Sequence, residues 1–400
     1  GAMLNTKRFF RSLRGTMVRL APTILAAPIL LGMGVAVAGE PLFDVSVSNV
    51  TDVLANVTGG LRRESRVLDK FDVTAAYVGD NHNHPDLSAF MDLQATDGAN
   101  FSKSVVGDAQ IVSNLDAPAG IRVLDAWIAR DFGGEGGFKT GIVDLNSEFD
   151  VQATGSLFLN SAHGIGPDFS QSGENGPSIF PNTGLGLAGW WLPDDHWQLK
   201  AGVFEGVSGD PAHPGRTALS LSNNEGVLLV FEARNHITPH IGAGGGMWRY
   251  TAQFAPLDGS RSISGNYGVY AIIDGSLYGA PDGGRSGLSG WLRVGFADDK
   301  INPIAAAIGG GLVYTGPFGR SADQAGVAFG YVRFGSPGQR AAAAAGTPIG
   351  SSETTAEATY SFALSESLIV QPDIQYVFSP GADPTLADAL VVGSRVTATW

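Results

Sequence analysis

The sequence predicts an all-β chain: a transmembrane, antiparallel, up-and-down β-barrel of about 16 strands, with short periplasmic turns and long extracellular loops. Three observations predict it. Segments of about ten residues alternate between apolar and polar or small side chains, the period of a strand whose two faces meet different surroundings. Gly, Pro, Asn and Asp separate these segments, and aromatic residues sit at their ends. After Ala38, no apolar run is long enough to cross a bilayer as a helix.

The chain opens with Gly1-Ala2, a tag scar, ahead of a basic stretch with Lys7, Arg8, Arg11, Arg14 and Arg19. An apolar run from Leu20 to Ala38 follows and ends in Ala36-Val37-Ala38. Basic region, apolar region and small-residue triplet predict a secretory signal over 1–38, cut near Ala38. A membrane anchor is the alternative, but Pro22 and Pro28 interrupt the run and no basic stop-transfer follows. Residues 39–400 then form a single barrel domain.

Composition excludes several classes. With 38 Asp+Glu against 25 Lys+Arg, the chain lacks the basic face that nucleic acid requires. Zero cysteines rule out a disulfide scaffold and a thiol nucleophile. Glycine is high, 56 of 400, without a collagen period; it suits curvature and crowded lumen walls.

Sixteen strands are expected to begin near 42, 66, 86, 121, 136, 184, 196, 225, 239, 265, 286, 304, 324, 353, 367 and 388. "LAGWWLPDDHWQLKAGVF" shows the unit. Leu185, Leu187 and Trp191, then Trp197, Leu199, Ala201 and Val203, give the lipid face; Ala188, Trp190, Gln198 and Lys200 point the other way. Asp274, Glu357, Asp373 and Arg395 fall on non-lipid rows, where a water-filled lumen accepts them. Returns near 79–86, 132–136, 193–195, 236–238 and 365–366 are mostly short and periplasmic. Segments 96–120, 145–183, 206–224, 252–264 and 336–352 are longer and extracellular. The chain ends in an alternating strand whose apolar row runs through Val392, Val396 and Ala398 to Trp400. A closed barrel would pair this strand with the first one.

"NVTGGLRR" (56–63), "IVSNLDAP" (111–118), "RVLDAWIARDF" (122–132), "GSLFLNSAHG" (155–164) and "GNYGVYAIIDGSLYG" (265–279) follow in order, with the C-terminal "VQPDIQYVFSPGADP". Through these motifs the chain resembles the carbohydrate-selective porins of Gram-negative outer membranes. The resemblance implies sixteen strands, inward-folding loops, and passive diffusion of monosaccharides, glucose-type sugars above all. It also implies a constriction lined by arginines, acids and an aromatic ring, and an assembly machinery that reads the terminal aromatic, here Trp400. Where the family commonly carries Arg-x-Gly-Gln, this chain has "KTGIVDL", with Ile142 at the glutamine-like place.

A sugar has apolar C–H faces and a belt of hydroxyls, so a site for it needs aromatic surface and paired polar groups. If Leu124, Ala126 and Ile128 face lipid, Asp125 and Trp127 enter the lumen, where Trp127 either stacks on sugar or packs under a loop. Trp291 beside Arg293 has the same orientation and the same two readings. Arg62, Arg63 and Arg66 either reach the pore or decorate a surface turn. The longest loop, 145–183, is the expected constriction, with Glu148, Phe149, Asp150 and Asp168. Asn160 and His163 match family positions and serve equally well as structure.

Other chemistries find little support. His82, His84 and Asp86 lack a further ligand cluster for metal, and no phosphate loop or nucleophile elbow is present. The expectation is a channel without cofactor, whose partners are sugars in transit, outer-membrane lipid and assembly machinery. A homotrimer is left open. The alternatives are a general cation-leaning porin and, from another class, an outer-membrane barrel enzyme or adhesion barrel.

Overall fold

The computed structural model describes residues 42–79, 86–222, 224–279 and 286–400. The expected signal segment, His82 and His84 lie outside them. Among the described residues, sixteen strands close into one antiparallel barrel, each paired with its neighbours in the chain. The first quarter is β1 (Leu42–Thr58), β2 (Glu64–Val78), β3 (Leu87–Thr96) and β4 (Gly120–Asp131). Next come β5 (Gly136–Val143), β6 (Gly184–Trp191), β7 (Trp197–Glu205) and β8 (Val227–Thr238). β9 (Ile241–Phe254), β10 (Ile263–Gly279), β11 (Gly287–Ala297) and β12 (Ile304–Thr315) follow. β13 (Gln324–Phe334), β14 (Ser352–Ser365), β15 (Leu368–Phe378) and β16 (Ala389–Thr399) complete the wall.

Every observed start lies within two residues of the expected one. β9 contains the glycine-rich stretch that alternation specifies poorly. Its glycines leave room for neighbours: a Cβ on Gly246 would collide with the Tyr270 ring.

The outer surface is apolar and wet only at its rims. Val45, Val53, Ile128, Leu187, Val203, Phe231, Val269 and Ile374 are all exposed, the band that lipid covers. Phe43, Phe132, Trp191, Trp197 and Tyr278 mark one rim, where β1 begins and β4, β6 and β10 end. Such an aromatic girdle fits the membrane boundary. Ile142 pairs with Ala126 and Leu185 on this outward row, so lipid explains its apolar side chain.

One expected orientation is corrected. Leu124 is only 9% exposed. The β3–β4 register jumps there, pairing Asp92 with Asp125 but Leu93 with Val123. Leu124 is the extra residue of a bulge, which turns it away from lipid.

The barrel is closed by β1 and β16, from Ser48 opposite Thr399 to Thr58 opposite Leu390. Trp400 continues the ladder: its N–H donates to the Val47 carbonyl (2.8 Å), and Val47 N–H donates to the Trp400 carbonyl (3.1 Å).

Half of β4 is left without its β5 neighbour. β5 pairs with β4 only over Ala126–Asp131, so the half of β4 nearest the long loops lacks that neighbour. Segment 206–226 covers it. Ile121 N–H reaches the Gly215 carbonyl (3.1 Å), and Val123 N–H reaches Thr217 Oγ1 (2.7 Å). Arg122 donates to the Pro214 and Pro118 carbonyls at 2.7 and 2.6 Å. An exposed strand edge is thereby sealed.

Candidate functional site

Two long loops enter the barrel, and inward-facing apolar residues mark where each docks. Segment 97–119 buries Phe101, Val105, Val106, Val112 and Leu115 against Val50 and Leu54 of β1, Leu68 of β2 and Val391 of β16. Segment 144–183 buries Phe149 and Phe169 against Phe204, Trp248, Tyr250 and Tyr270 of β7, β9 and β10. Phe169 stacks on Trp248 with ring centroids 5.1 Å apart. Each buried aromatic ring contributes about 2–3 kcal/mol to docking.

Apolar contact alone would leave the loop backbones unpaired in a dry interior. Carboxylates on the strands supply the acceptors. Glu357 accepts from Leu159 N–H (2.6 Å) and Asn160 N–H (3.1 Å). Glu353 accepts from Ala109, Gln110 and Gly381 N–H. Asp274 accepts from Thr154 N–H at 2.9 Å, and Glu232 from Asp150 N–H at 2.8 Å. Amides add reciprocal bonds: Gln371 donates to the Leu157 carbonyl and Gln375 to that of Val112. The acidic rows read from the sequence do face inward, and Asp274 and Glu357 there hold the loop in place.

The cations of the inner wall are engaged as well. Arg293, 1% exposed, forks onto Asp150 (3.1 and 2.8 Å) and Asp168 (3.2 Å for one bond, with a second between Nη1 and Oδ1). Arg395 is bidentate to Asp52 (2.7 and 2.8 Å) and reaches Asn114 Oδ1. Lys139 and Lys200 both bond Glu148, at 2.5 and 3.3 Å. Burial disfavours the Glu148 charge, yet Lys200 and Lys139 outweigh it and hold this loop carboxyl below its usual range. Lys70 pairs with Asp72 (2.9 Å) and Arg234 with Glu232 (2.7 Å).

The sequence-read residues therefore separate into groups. Trp291 is 5% exposed, donates Nε1–H to Gln152 (2.8 Å), and packs on Phe158 and His163. Phe149 is fully buried against Phe204. Trp291, Arg293, Phe149, Asp150 and Asp168 thus anchor loop 144–183, and Asn160 anchors it through Glu357 and Gln375. Burial pulls His163 down to about 3, so it stays an uncharged imidazole.

Trp127 is half-buried, with Phe90 at 5.6 Å and the Lys139 ammonium 4.3 Å above its ring. Asp125 accepts from Asp144 N–H at 2.9 Å. Arg66 donates to the Ala99 and Asn100 carbonyls and pairs with Glu64, fixing segment 97–119. Arg62 and Arg63 are exposed on the β1–β2 turn.

Two cavities lie where the loops meet. One, of about 700 Å³, is lined by Asn100, Lys103, Asp108, Asp116 and Gln171 among others. A narrower one, of about 260 Å³, is lined by Asn114, Asp144, Asn146, Ser161, Asn175 and Asn182, with Phe158 and Phe180. Ile111, Asp116 and Gln171 border both. Neither lining includes Arg62 or Arg63. Phe180 is half-buried and has the Lys70 ammonium 5.8 Å from its ring. The sequence reading missed it; the only available signal was an aromatic before proline within the expected constriction loop. Among the described residues no cluster could hold a metal ion.

Residues 81–400 match the carbohydrate-selective porin family, OprB. The chain belongs to that family. Its activity is passive, carbohydrate-selective diffusion across an outer membrane. No protein of curated function matches the sequence. Among solved structures, the high-pH form of Pseudomonas putida OprB is similar at TM-score 0.77 and 19% identity, covering 90% of this chain and 94% of that one. The low-pH form gives 0.55 at 16% identity, covering 90% and 92%. The outer membrane channel DcaP of Acinetobacter baumannii gives 0.53 at 9% identity, covering 90% and 98%. At these identities the solved structures speak for the fold. A sixteen-stranded wall narrowed by two inward loops is what a carbohydrate-selective porin needs: width set by the loops, recognition by their linings.

Proposed function

We propose that monosaccharides, glucose-type sugars foremost, pass through the two cavities between the inward loops, and that the narrower one is the recognising constriction. The observation that carries this is its lining. Asn114, Asn146, Ser147, Ser156, Ser161, Asn175 and Asn182 line it with a half-buried phenyl ring, Phe180, and two carboxylates, Asp116 and Asp144. Neutral donors and acceptors can replace the water around sugar hydroxyls, while the ring covers a C–H face. At about 30 Å³ per water, 260 Å³ holds about nine waters, the scale of a pyranose rather than of a long chain.

Trp127, with Asp125 and Glu148 nearby, would serve as a second stacking surface, and Arg62 and Arg63 would meet sugars at the outer rim. The channel performs no chemical step and needs no cofactor. Export would use residues 1–38 as a leader, with Trp400 read by the assembly machinery, and a homotrimer would place three such pores side by side.

The test is a planar bilayer. Glucose added to the reconstituted protein should reduce single-channel current in a dose-dependent, saturable way. Current that ignores sugars would leave a non-selective pore and sink the proposal.

A further inference from the structure

The charges that remain in the two cavities do not balance. Their linings carry three carboxylates, Asp108, Asp116 and Asp144, and one cation, Lys103. Arg66 acts on Asp116, and Lys139 and Lys70 act on Asp144, but each of these cations also pairs with an acid of its own, Glu64, Glu148 and Asp72, so they reduce the excess without cancelling it. Asp108 is 9% exposed and lies beside the Ser102 hydroxyl and the Ile111 backbone. Asp116 accepts Ser102 N–H at 2.7 Å.

Position adds to number. Asp108 borders the wider cavity, Asp116 borders both, and Asp144 borders the narrower one. Low-dielectric walls around a single-sign lining focus its field and concentrate ions of the opposite sign.

We propose that the pore sorts carbohydrates by charge, passing neutral and amino sugars and holding back uronic acids and sugar phosphates. This rests on the sugar route proposed above. An ammonium group in either cavity is drawn by the field of these carboxylates. A carboxylate or phosphate finds one lysine, Lys103, in the two linings and is repelled by their three acids.

The experiment uses the full protein in liposomes, with entry rates measured at pH 7.5 for glucose, glucosamine and glucuronate. At low ionic strength, glucosamine should enter about ten-fold faster than glucuronate, with glucose between them, as expected for a focused field. Raising salt to about 1 M, where the screening length is about 3 Å, should bring the two charged sugars together. The double variant Asp116→Asn, Asp144→Asn keeps one acceptor oxygen on each side chain, for Ser102 N–H and Asn146 N–H, and should bring the two charged sugars together without added salt. Equal entry of glucose and glucuronate in the wild type overturns charge sorting while leaving a sugar channel. A persistent gap in the variant or at high salt overturns the role of these carboxylates. Failure of glucose itself to enter overturns the route on which the inference stands.

Discussion

Arg293 shows how a porin lumen can hold a charge that never meets water. Its five donors face two carboxylates from the same loop, Asp150 and Asp168, and all three groups are essentially unexposed. A buried pair of this kind gives little net stability over an apolar replacement, but removing one partner strands the other, at about 3–5 kcal/mol. Arg293→Met should therefore loosen loop 144–183. Single-channel conductance should rise and sugar block weaken; unchanged conductance would mean that the apolar contacts of Phe149 and Phe169 suffice alone. Trp127→Ala is the complementary test at a half-open ring: block by glucose should weaken while conductance stays similar or grows. Alternation put Trp291 and Arg293 on the inner face correctly. It could not distinguish a free lumen residue from a loop anchor, because the partners Asp150 and Gln152 lie more than a hundred residues away in sequence.

At the scale of elements, the two inward loops are held from the wall by strand carboxylates, and they contribute the acids that line the remaining space. Length singled out 145–183 as the constriction. Segment 97–119 was read only as a long extracellular loop, although Phe101, Val105, Val106, Val112 and Leu115 gave a signal. Five buried apolar residues in one surface loop would be hard to keep exposed. Strand starts were legible because each strand carries its own period. Loop destinations were not, because they depend on pairings with distant strands.

The loop acids also set a pH dependence. Burial raises both Asp108 and Asp144 to about 6. Around Asp108 lie Ser102, Asp116 and Glu353; around Asp144 lie Lys139, Lys70, Glu148 and Asp125. Both acids are charged at pH 8 and protonated by pH 5, so the cation preference should fall across that window. Reversal potentials in a KCl gradient read it directly, and a preference unchanged from pH 8 to 5 would exclude these two residues as its source.

At the scale of the whole molecule, closure depends on a terminal strand finding the first. Trp400 extends that seam by two backbone hydrogen bonds with Val47 and presents its ring at the rim where β1 begins, 72% exposed. Removing Trp400 should lower the yield of folded protein in outer membranes, read as heat-modifiable migration on gels. Normal yield would refute its proposed assembly role and leave it only a girdle residue.

Segment 206–226, which lies along β4, carries a practical consequence for anyone redesigning this channel. Epitope tags and peptide displays are usually placed in surface loops on the assumption that these are interchangeable. Here an insertion near Gly215 would pull a patch off the cylinder and leave backbone groups of β4 unmatched. The same cargo near Gly346, beyond the exposed end of helix Ser336–Ala344, would disturb none of the barrel pairing.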